Sequence, residues 1–245
     1  WDLNGGQEVA DPLVHPQPTS LVAYGRGGEW ILTGSTLGTV WVWSAPRGKL
    51  VGGPFRHFGP LRGAQFDPLE RRIVTYGLGP KAIVWDVEEN RPVKLNIEHR
   101  APITAARFNP DGRTLVTTGE DGFARLWDSA SGKLLQEVAT RKARVEDVNY
   151  GPLGRRMLLI ASGGICQLWD GDGERQLVNA LRHPDQVTSA AITRDGRAVV
   201  TGCKDGKIRF WKVGAFPHWE TRIRHQGPVN DGRFTQDGKA VATGG

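Results

Sequence analysis

A spacing of 42 residues runs through this chain of 245 residues and constrains its fold more than any other feature. Tryptophan recurs at this spacing, at Trp1, Trp43, Trp85, Trp127, Trp169 and Trp211. Two further ladders keep the same period: His15, His57, His99, Arg141, His183, His225, and Thr33, Thr75, Thr117, Leu159, Thr201, Thr243. Three chemically different ladders with one period indicate a single structural unit repeated along the chain. Because a unit of about 40 residues buries its apolar faces only against its neighbours, we expect residues 1–245 to form one domain.

The repeat that begins at His99 predicts short strands joined by tight turns. Its apolar runs, in 99–108, 114–119, 123–128 and 133–138, alternate with Pro-Asp-Gly, Asp-Gly and Ser-Gly. These dipeptides supply the positive φ angles that tight hairpins require. No segment keeps a sustained period of 3.6 residues, so helix should be scarce. We therefore predict an all-β chain with four antiparallel strands in each repeat.

This order of residues resembles the WD40 repeat, in which a His precedes the first strand, a Ser or Thr ends the second, and an Asp-Gly turn leads to Trp-Asp. The resemblance implies a β-propeller of four-stranded antiparallel blades around a central channel. In that family the His, Thr, Asp and Trp of one blade form a hydrogen-bonded chain, because buried polar groups of these kinds satisfy one another. Two repeats carry the full set: His99, Thr117, Asp121, Trp127, and His183, Thr201, Asp205, Trp211.

Other repeats depart from this set. Leu37 and Gly79 stand where the Asp is expected, and the repeat from Arg141 to Trp169 keeps the Trp alone. We expect that repeat to be the least rigid, with faster amide exchange in Leu158–Leu168 than in Leu115–Leu126.

The blade count follows from the ends of the chain. Five repeats are complete, the chain ends in two further strands, Val229–Phe234 and Ala240–Gly245, and it begins with the end of a third strand at Trp1. Joining the two ends gives a sixth blade that lacks seven residues of a full repeat. We predict six blades, with seven blades or a window of a longer array as the alternative, and in either case we expect a longer parent polypeptide.

Composition narrows the function classes. The formal charge of +6 and the pI of about 9.6 are moderate for this length, and the arginines are spread over all repeats rather than run together. This spread argues against a clustered basic surface of the kind that binds nucleic acid. No apolar run approaches the ~20 residues of a membrane span. Two cysteines give neither a disulfide framework nor a C-x-x-C pair, so we expect two reduced, buried thiols and a cytoplasmic protein.

The recurring His, Thr and Asp invite comparison with a catalytic triad, but a catalytic set occurs once, whereas this set recurs beside a Trp. The motifs G-x-S-x-G, G-x-x-x-x-G-K-[ST], H-E-x-x-H and G-x-G-x-x-G are absent. No group of residues has metal-ligand spacing. We therefore expect no enzymatic activity, no metal and no cofactor.

A partner is expected at the loops before each first strand and at the turns between second and third strands, which the resemblance places on one face. The candidate residues are those that the hydrogen-bonded set does not use: Arg56, Arg62, Arg100, Glu120, Arg182, Asp185, Gln186, Lys204 and Arg224. Converging arginines suit carboxylates or phosphates. The residues thus favour a scaffold that binds a protein or peptide partner, with an acidic partner as one possibility. The alternatives are a propeller that binds nucleic acid or another anion through a basic face, and a purely structural array.

The repeat style, with Arg-His before the strand and Pro-Asp-Gly-Arg turns, is similar to that of bacterial WD40 arrays. Such arrays often stand beside signalling domains, so the resemblance implies a regulatory role within a larger bacterial protein.

Overall fold

The computed structural model describes residues 12–140, 143–178, 180–213, 223–224, 227–234 and 241–244. Trp1, Arg141, His225, Ala240 and Gly245, which the sequence ladders and strand predictions include, lie outside these ranges. The chain divides into two compact units, Trp1–Ala106 and Arg107–Gly245, called unit 1 and unit 2 below. The single domain expected over residues 1–245 remains a prediction.

Unit 1 contains two sheets, and each follows the order of the chain. The first, blade 1, consists of β1 (Thr19–Tyr24), β2 (Trp30–Ser35), β3 (Thr39–Ser44) and β4 (Lys49–Arg56). The second, blade 2, consists of β5 (Leu61–Phe66), β6 (Arg72–Gly77), β7 (Lys81–Asp86), β8 (Arg91–Pro92) and β9 (Ile97–Glu98).

The fourth strand of blade 2 is divided into two short pieces, which the repeat pattern did not predict. Both β8 and β9 pair with β7, at opposite ends of that strand. Beyond Pro92 the Val93 N–H still donates to Val84 O (2.8 Å), and regular pairing is then interrupted until Ile97.

Unit 2 holds the later sheets, and the boundary between the units falls within β10. Blade 3 consists of β10 (Ile103–Phe108), β11 (Thr114–Gly119), β12 (Phe123–Asp128) and β13 (Leu134–Ala139). Blade 4 consists of β14 (Val145–Tyr150), β15 (Arg156–Ala161), β16 (Ile165–Asp170) and β17 (Leu181–Arg182). Blade 5 consists of β18 (Val187–Ile192), β19 (Ala198–Cys203), β20 (Lys207–Lys212) and β21 (Ile223–Arg224), and a last pair is β22 (Asp231–Phe234) with β23 (Val241–Gly244).

Antiparallel pairing joins consecutive strands within the blades, as the hairpin turns predict. The described residues contain no helix. The predicted all-β fold with four-stranded antiparallel blades is therefore confirmed, while the number of six blades remains a prediction.

The Asp that follows the Trp has a local role in three of the described blades. In blade 3 the Asp128 carboxylate accepts hydrogen bonds from the backbone N–H groups of Ala130 and Ser131. Asp86 and Asp170 bind the N–H groups of the next turn in the same way. The side chain thus satisfies turn donors that no strand partner reaches, which fixes the route from the third strand to the fourth.

The core lies between neighbouring blades. In unit 1, Leu32, Val42 and Phe55 of blade 1 pack with Phe66 and Ile73 of blade 2. In unit 2, side chains of blades 4 and 5 form an equivalent cluster that includes Leu158, Leu168, Val187 and Val199. Blades 1 and 2 thus cover one another within unit 1, and blades 4 and 5 do so within unit 2, as a repeat that is stabilised by its neighbours predicts.

Candidate protein-interaction face

Backbone hydrogen bonds bring the candidate segments to one edge of each sheet. The first N–H of the turn between the second and third strands donates to the loop that precedes the first strand. Leu78 N–H donates to Pro60 O (3.3 Å) in blade 2, and Lys204 N–H donates to Gln186 O (2.9 Å) in blade 5. Blades 1 and 4 have the same bond. We call this edge, with its turns and loops, the turn face of each unit.

Below the turn face, the ladder residues form buried hydrogen bonds. The indole N–H donates to the Thr hydroxyl at 2.8–2.9 Å in four of the described blades, as Trp43 to Thr33, Trp85 to Thr75, Trp127 to Thr117 and Trp211 to Thr201. The repeated bond ties the third strand to the second beneath each turn.

The histidines extend this bond in two blades. His57 Nδ1 lies 3.0 Å from Thr75 Oγ1, and His183 Nε2 lies 2.8 Å from Thr201 Oγ1. His183 Nδ1 is also 3.0 Å from Gly164 O, so an Nδ1–H donor there leaves Nε2 to accept from the Thr hydroxyl. Burial lowers the pKa of His57 and His183, which favours this neutral form. His99 is likewise buried.

The two Asp residues of the predicted sets have partners that the sequence analysis did not anticipate. Asp205 Oδ2 lies 2.6 Å from Arg209 Nη2, and its Oδ1 accepts from the Lys207 N–H. Both ring nitrogens of His183 are already bound, so the carboxylate of Asp205 pairs with the guanidinium instead. This hydrogen-bonded ion pair lowers the pKa of Asp205 to about 2.

Blade 3 repeats the arrangement, with Asp121 Oδ2 2.7 Å from Arg125 Nη1. Arg125 also binds Glu137 at 2.8 Å. The guanidinium side chains of Arg125 and Arg209 are 93% buried, so they belong to the structure of the blade rather than to its surface. A signal for these arginines exists in the sequence, because they stand four residues after the Asp in both repeats that have one.

Blade 4 replaces the polar set with apolar packing. Leu159, at the Thr position, is fully buried. The Trp169 indole donates to Gln167 Oε1 (3.2 Å), two residues away on the same strand. This bond does not cross between strands, so blade 4 relies on its apolar contacts.

The three predicted arginines of unit 1 lie on or beside its turn face. Arg56 ends β4, and its side chain is exposed. Arg100 is exposed in the loop before β10. Arg62 is half-buried, with its Nη1 donating to Ile103 O (3.2 Å).

In unit 2 the structure brings part of the predicted set together. The Asp185–Gln186 loop meets the Lys204 turn, and Arg182 and Lys204 are exposed there. Glu120 lies on the turn of blade 3, where Arg144 binds it at 3.5 Å. Arg224 is in β21, and its side chain lies outside the described part of the structure.

The sequence analysis named Arg62 but missed three other residues that share its position at a β-bulge in the first strands. Pairing of the first strand with the second skips Ser20, Arg62, Glu146 and Thr188, four positions that keep the 42-residue phase. A bulge redirects the skipped side chain. Glu146 Oε2 accepts from Gln186 Nε2 of the next blade (2.9 Å), and Thr188 Oγ1 contacts Val229 O. The period was visible in the sequence, but the residue types differ too much to form a ladder.

The described residues hold no group of three or more His, Cys, Asp or Glu residues that could bind a metal ion. In these same ranges no helix has the length and apolar character needed to cross a membrane. Cys166 and Cys203 are buried free thiols, and burial raises the pKa of both, which keeps them protonated and unreactive.

The comparison with solved structures identifies the class of protein. The computationally designed Ika8 protein has a TM-score of 0.80 to this chain at 22% sequence identity, over 94% of this chain and 69% of that one. At this identity the likeness concerns the fold alone, and that fold is a propeller. The chain is therefore a β-propeller.

Two stretches of the chain match a family model. Residues 91–128 and 175–212 match the model described as WD domain, G-beta repeat. These stretches contain the Thr, Asp and Trp of the two complete sets, so the two complete repeats are similar to the WD40 repeat. WD40 domains generally mediate protein interactions and are generally non-catalytic. No curated protein matches the chain.

Proposed function

We propose that this chain is a non-catalytic interaction platform that binds a protein or peptide partner at its turn face. The observation that carries the proposal is the placement of Arg182 and Lys204 in unit 2. Both side chains are exposed on that edge, and within the described ranges neither forms an ion pair. By contrast, Arg209 is buried and paired with the carboxylate of Asp205. Cations that the fold does not use are available to a partner with carboxylates.

The recurrence of the buried set supports a structural role for His183 and Thr201. Their hydrogen bonds run to Trp211 and to the backbone of Gly164, which satisfies them inside the blade. A general base has to reach a substrate proton, and a fully committed imidazole below the surface does not offer one. This supports the absence of catalysis in the proposal.

We place the platform in a larger cytoplasmic signalling protein of a bacterium. The repeat style supports the bacterial setting by analogy. Two buried thiols that stay reduced suit the cytoplasm.

Affinity capture with the whole chain as bait tests the proposal. Arg182→Glu with Lys204→Glu reverses two charges on the turn face of unit 2. Arg194→Glu is the matched control, because Arg194 is also exposed but lies in the β18–β19 turn, at the opposite end of blade 5. We expect the double variant to lose a partner that the control retains, by tenfold or more. Equal recovery by both baits, or no specific partner at all, would contradict the proposal.

Nucleic-acid binding through a basic face predicts a different outcome. Binding to generic DNA or RNA would be strong at low salt and fall steeply as salt rises. We expect that immobilised DNA or RNA does not retain the chain at low salt. Salt-dependent retention that the same double variant abolishes would replace the proposed partner class with nucleic acid.

A further inference from the structure

Three large apolar side chains are exposed together on the turn face of unit 1. Leu37 lies in the β2–β3 turn, Phe58 in the β4–β5 loop and Leu78 in the β6–β7 turn. Their exposed fractions are 65%, 86% and 54%. A cluster of this kind is more informative than scattered apolar residues, because it exposes area that a partner can remove from water.

Backbone contacts show that the three segments meet. The His57 N–H donates to Gly38 O (2.9 Å), beside Leu37. A Cβ at Gly38, where φ is +93°, would meet the carbonyl oxygen of Gly59, beside Phe58. The Leu78 N–H donates to Pro60 O (3.3 Å). The turn of blade 1, the loop and the turn of blade 2 therefore form one continuous surface, which we call the apolar patch and define as Leu37, Phe58 and Leu78.

The apolar patch occurs where the repeat has lost its Asp. Leu37 occupies the position of Asp121 and Asp205, and Leu78 precedes Gly79 at the same position of blade 2. In unit 2 the corresponding turns carry Glu120 and Lys204 instead of exposed apolar residues. Structural need does not explain the exposed side chains, since the other blades form the same turn without them.

Basic side chains border the apolar patch, and the neighbouring carboxylate of Glu98 is paired with Lys81 (3.6 Å). The turns and loops 36–38, 57–60, 78–80 and 99–102 contain no Asp or Glu. The last loop joins this surface through the His99 N–H, which donates to Pro80 O (2.9 Å), and it carries the exposed Arg100. Arg56 is exposed just before the Phe58 loop and forms no ion pair within the residues that the structure describes. Carboxylates of a partner are the complement of such a rim.

We propose that the apolar patch of unit 1 is the docking site for a peptide segment that places a Phe or Leu side chain between acidic residues. The apolar side chain packs on Leu37, Phe58 and Leu78, and the flanking carboxylates face Arg56 and Arg100. This deepens the proposed function, because it names the chemistry of a partner segment and the half of the chain that receives it. A central apolar anchor inside a charged rim is the general form of an energetic hot spot.

Amide chemical shifts of the isotope-labelled chain, titrated with short synthetic peptides, test the proposal. The first peptide has one Phe between Asp and Glu residues, the second has Ser in place of the Phe, and the third has Lys in place of the acids. We expect the first peptide to shift the amides of Leu37, Phe58 and Leu78 and to bind less tightly as salt rises. The second and third should bind at least tenfold more weakly.

Matched variants locate the site. Phe58→Ser removes the most exposed member of the apolar patch, and we expect a loss of tenfold or more in affinity for the first peptide. Leu37→Asp introduces the residue that blades 3 and 5 have at this position and adds a repelling carboxylate, so it should act in the same direction. Leu69→Ser is the control, because Leu69 is 73% exposed in the β5–β6 turn, at the opposite end of blade 2. It should leave the affinity unchanged.

The proposal is overturned if the three peptides bind equally, if none binds, or if Phe58→Ser and Leu69→Ser have the same effect. Thermal unfolding of each variant shows whether it is folded, and Leu37→Asp provides a second variant should Phe58→Ser fail to fold. The outcome is separate from that of the proposed function. The chain could capture a partner through Lys204 and Arg182 and yet bind none of the three peptides. That result would support the proposed interaction platform and refute the apolar patch as a docking site.

Discussion

Substitution of Thr75 by Val tests the buried hydrogen bonds directly, because it removes one hydroxyl and keeps the shape of the side chain. Thr75 is fully buried. Its Oγ1 accepts from Trp85 Nε1 at 2.9 Å and lies 3.0 Å from His57 Nδ1. The variant leaves the indole N–H and the imidazole without these partners. Since an orphaned buried polar group costs about 1–3 kcal/mol, we expect the free energy of unfolding to fall by roughly 2–4 kcal/mol.

Thr33→Val is the matched control in the same unit. Thr33 Oγ1 accepts from Trp43 Nε1 at 2.8 Å. The nearby His15 ring packs edge-on against Trp43, and its Nδ1 has no hydrogen-bond partner within the described residues. This variant therefore orphans one group instead of two, and we expect a loss of roughly 1–2 kcal/mol.

Urea denaturation followed by tryptophan fluorescence measures both losses, provided that the slope of the transition is unchanged. Native-state hydrogen exchange in blades 1 and 2 supplies a local measurement if the units unfold separately. The reasoning is refuted if Thr75→Val costs no more than Thr33→Val, or if both cost less than about 0.5 kcal/mol.

Three further outcomes are expected. Burial lowers the pKa of His57 and His183 from 6.5, so the unfolded chain binds more protons than the folded chain at mildly acidic pH. The free energy of unfolding should therefore fall as the pH drops below about 6.5. Denaturation at a series of pH values between neutral and mildly acidic measures this loss. Arg209→Met leaves the Asp205 carboxylate without its ion-pair partner and should raise the pKa of Asp205 from about 2, as measured by NMR titration. An unchanged pKa of Asp205 would contradict the pairing. Amides of Leu158–Leu168 should exchange faster than those of Leu115–Leu126, because no indole bond ties those strands together, and equal rates would refute this.

Repetition explains how much of the fold could be predicted from the sequence. A position that recurs with one residue type keeps one backbone role, so the strands and the Asp-Gly turns followed from the aligned repeats, and the bond from Trp127 to Thr117 from the resemblance to the WD40 repeat. The ladder does not describe what happens where one repeat differs from the rest. The fourth strand is divided in blade 2 and again in blade 4, where an isolated pair of Trp169 with Gln176 precedes β17, and the pairing depends on where the chain can resume contact with the third strand.

The candidate face was predicted less well than the fold, for a physical reason. A side chain on a turn contributes little to folding, so its residue type is free to vary, and variation erases the periodic signal. Arg62 and Glu146 occupy the same bulge in different blades with opposite charges. Exposure and partners decide the role of such residues, and both depend on contacts between blades that are about 40 residues apart in the chain.

The Asp position of the repeat connects the buried structure with the surface. Where the Asp is present, as in Asp205, an Arg four residues later on the third strand neutralises it, and the turn stays polar. Where the Asp is absent, the position four residues later holds Trp41, Ile83 or Gln167 instead of Arg. The Asp and the Arg are therefore either both present or both absent. This follows from the cost of burying an unpaired charge, which makes the two positions change together. Once the pair is lost, the turn no longer needs a carboxylate, and an apolar residue such as Leu37 can occupy it without loss to the blade. The chain thus gains a surface for a partner at the positions where it gave up an internal ion pair.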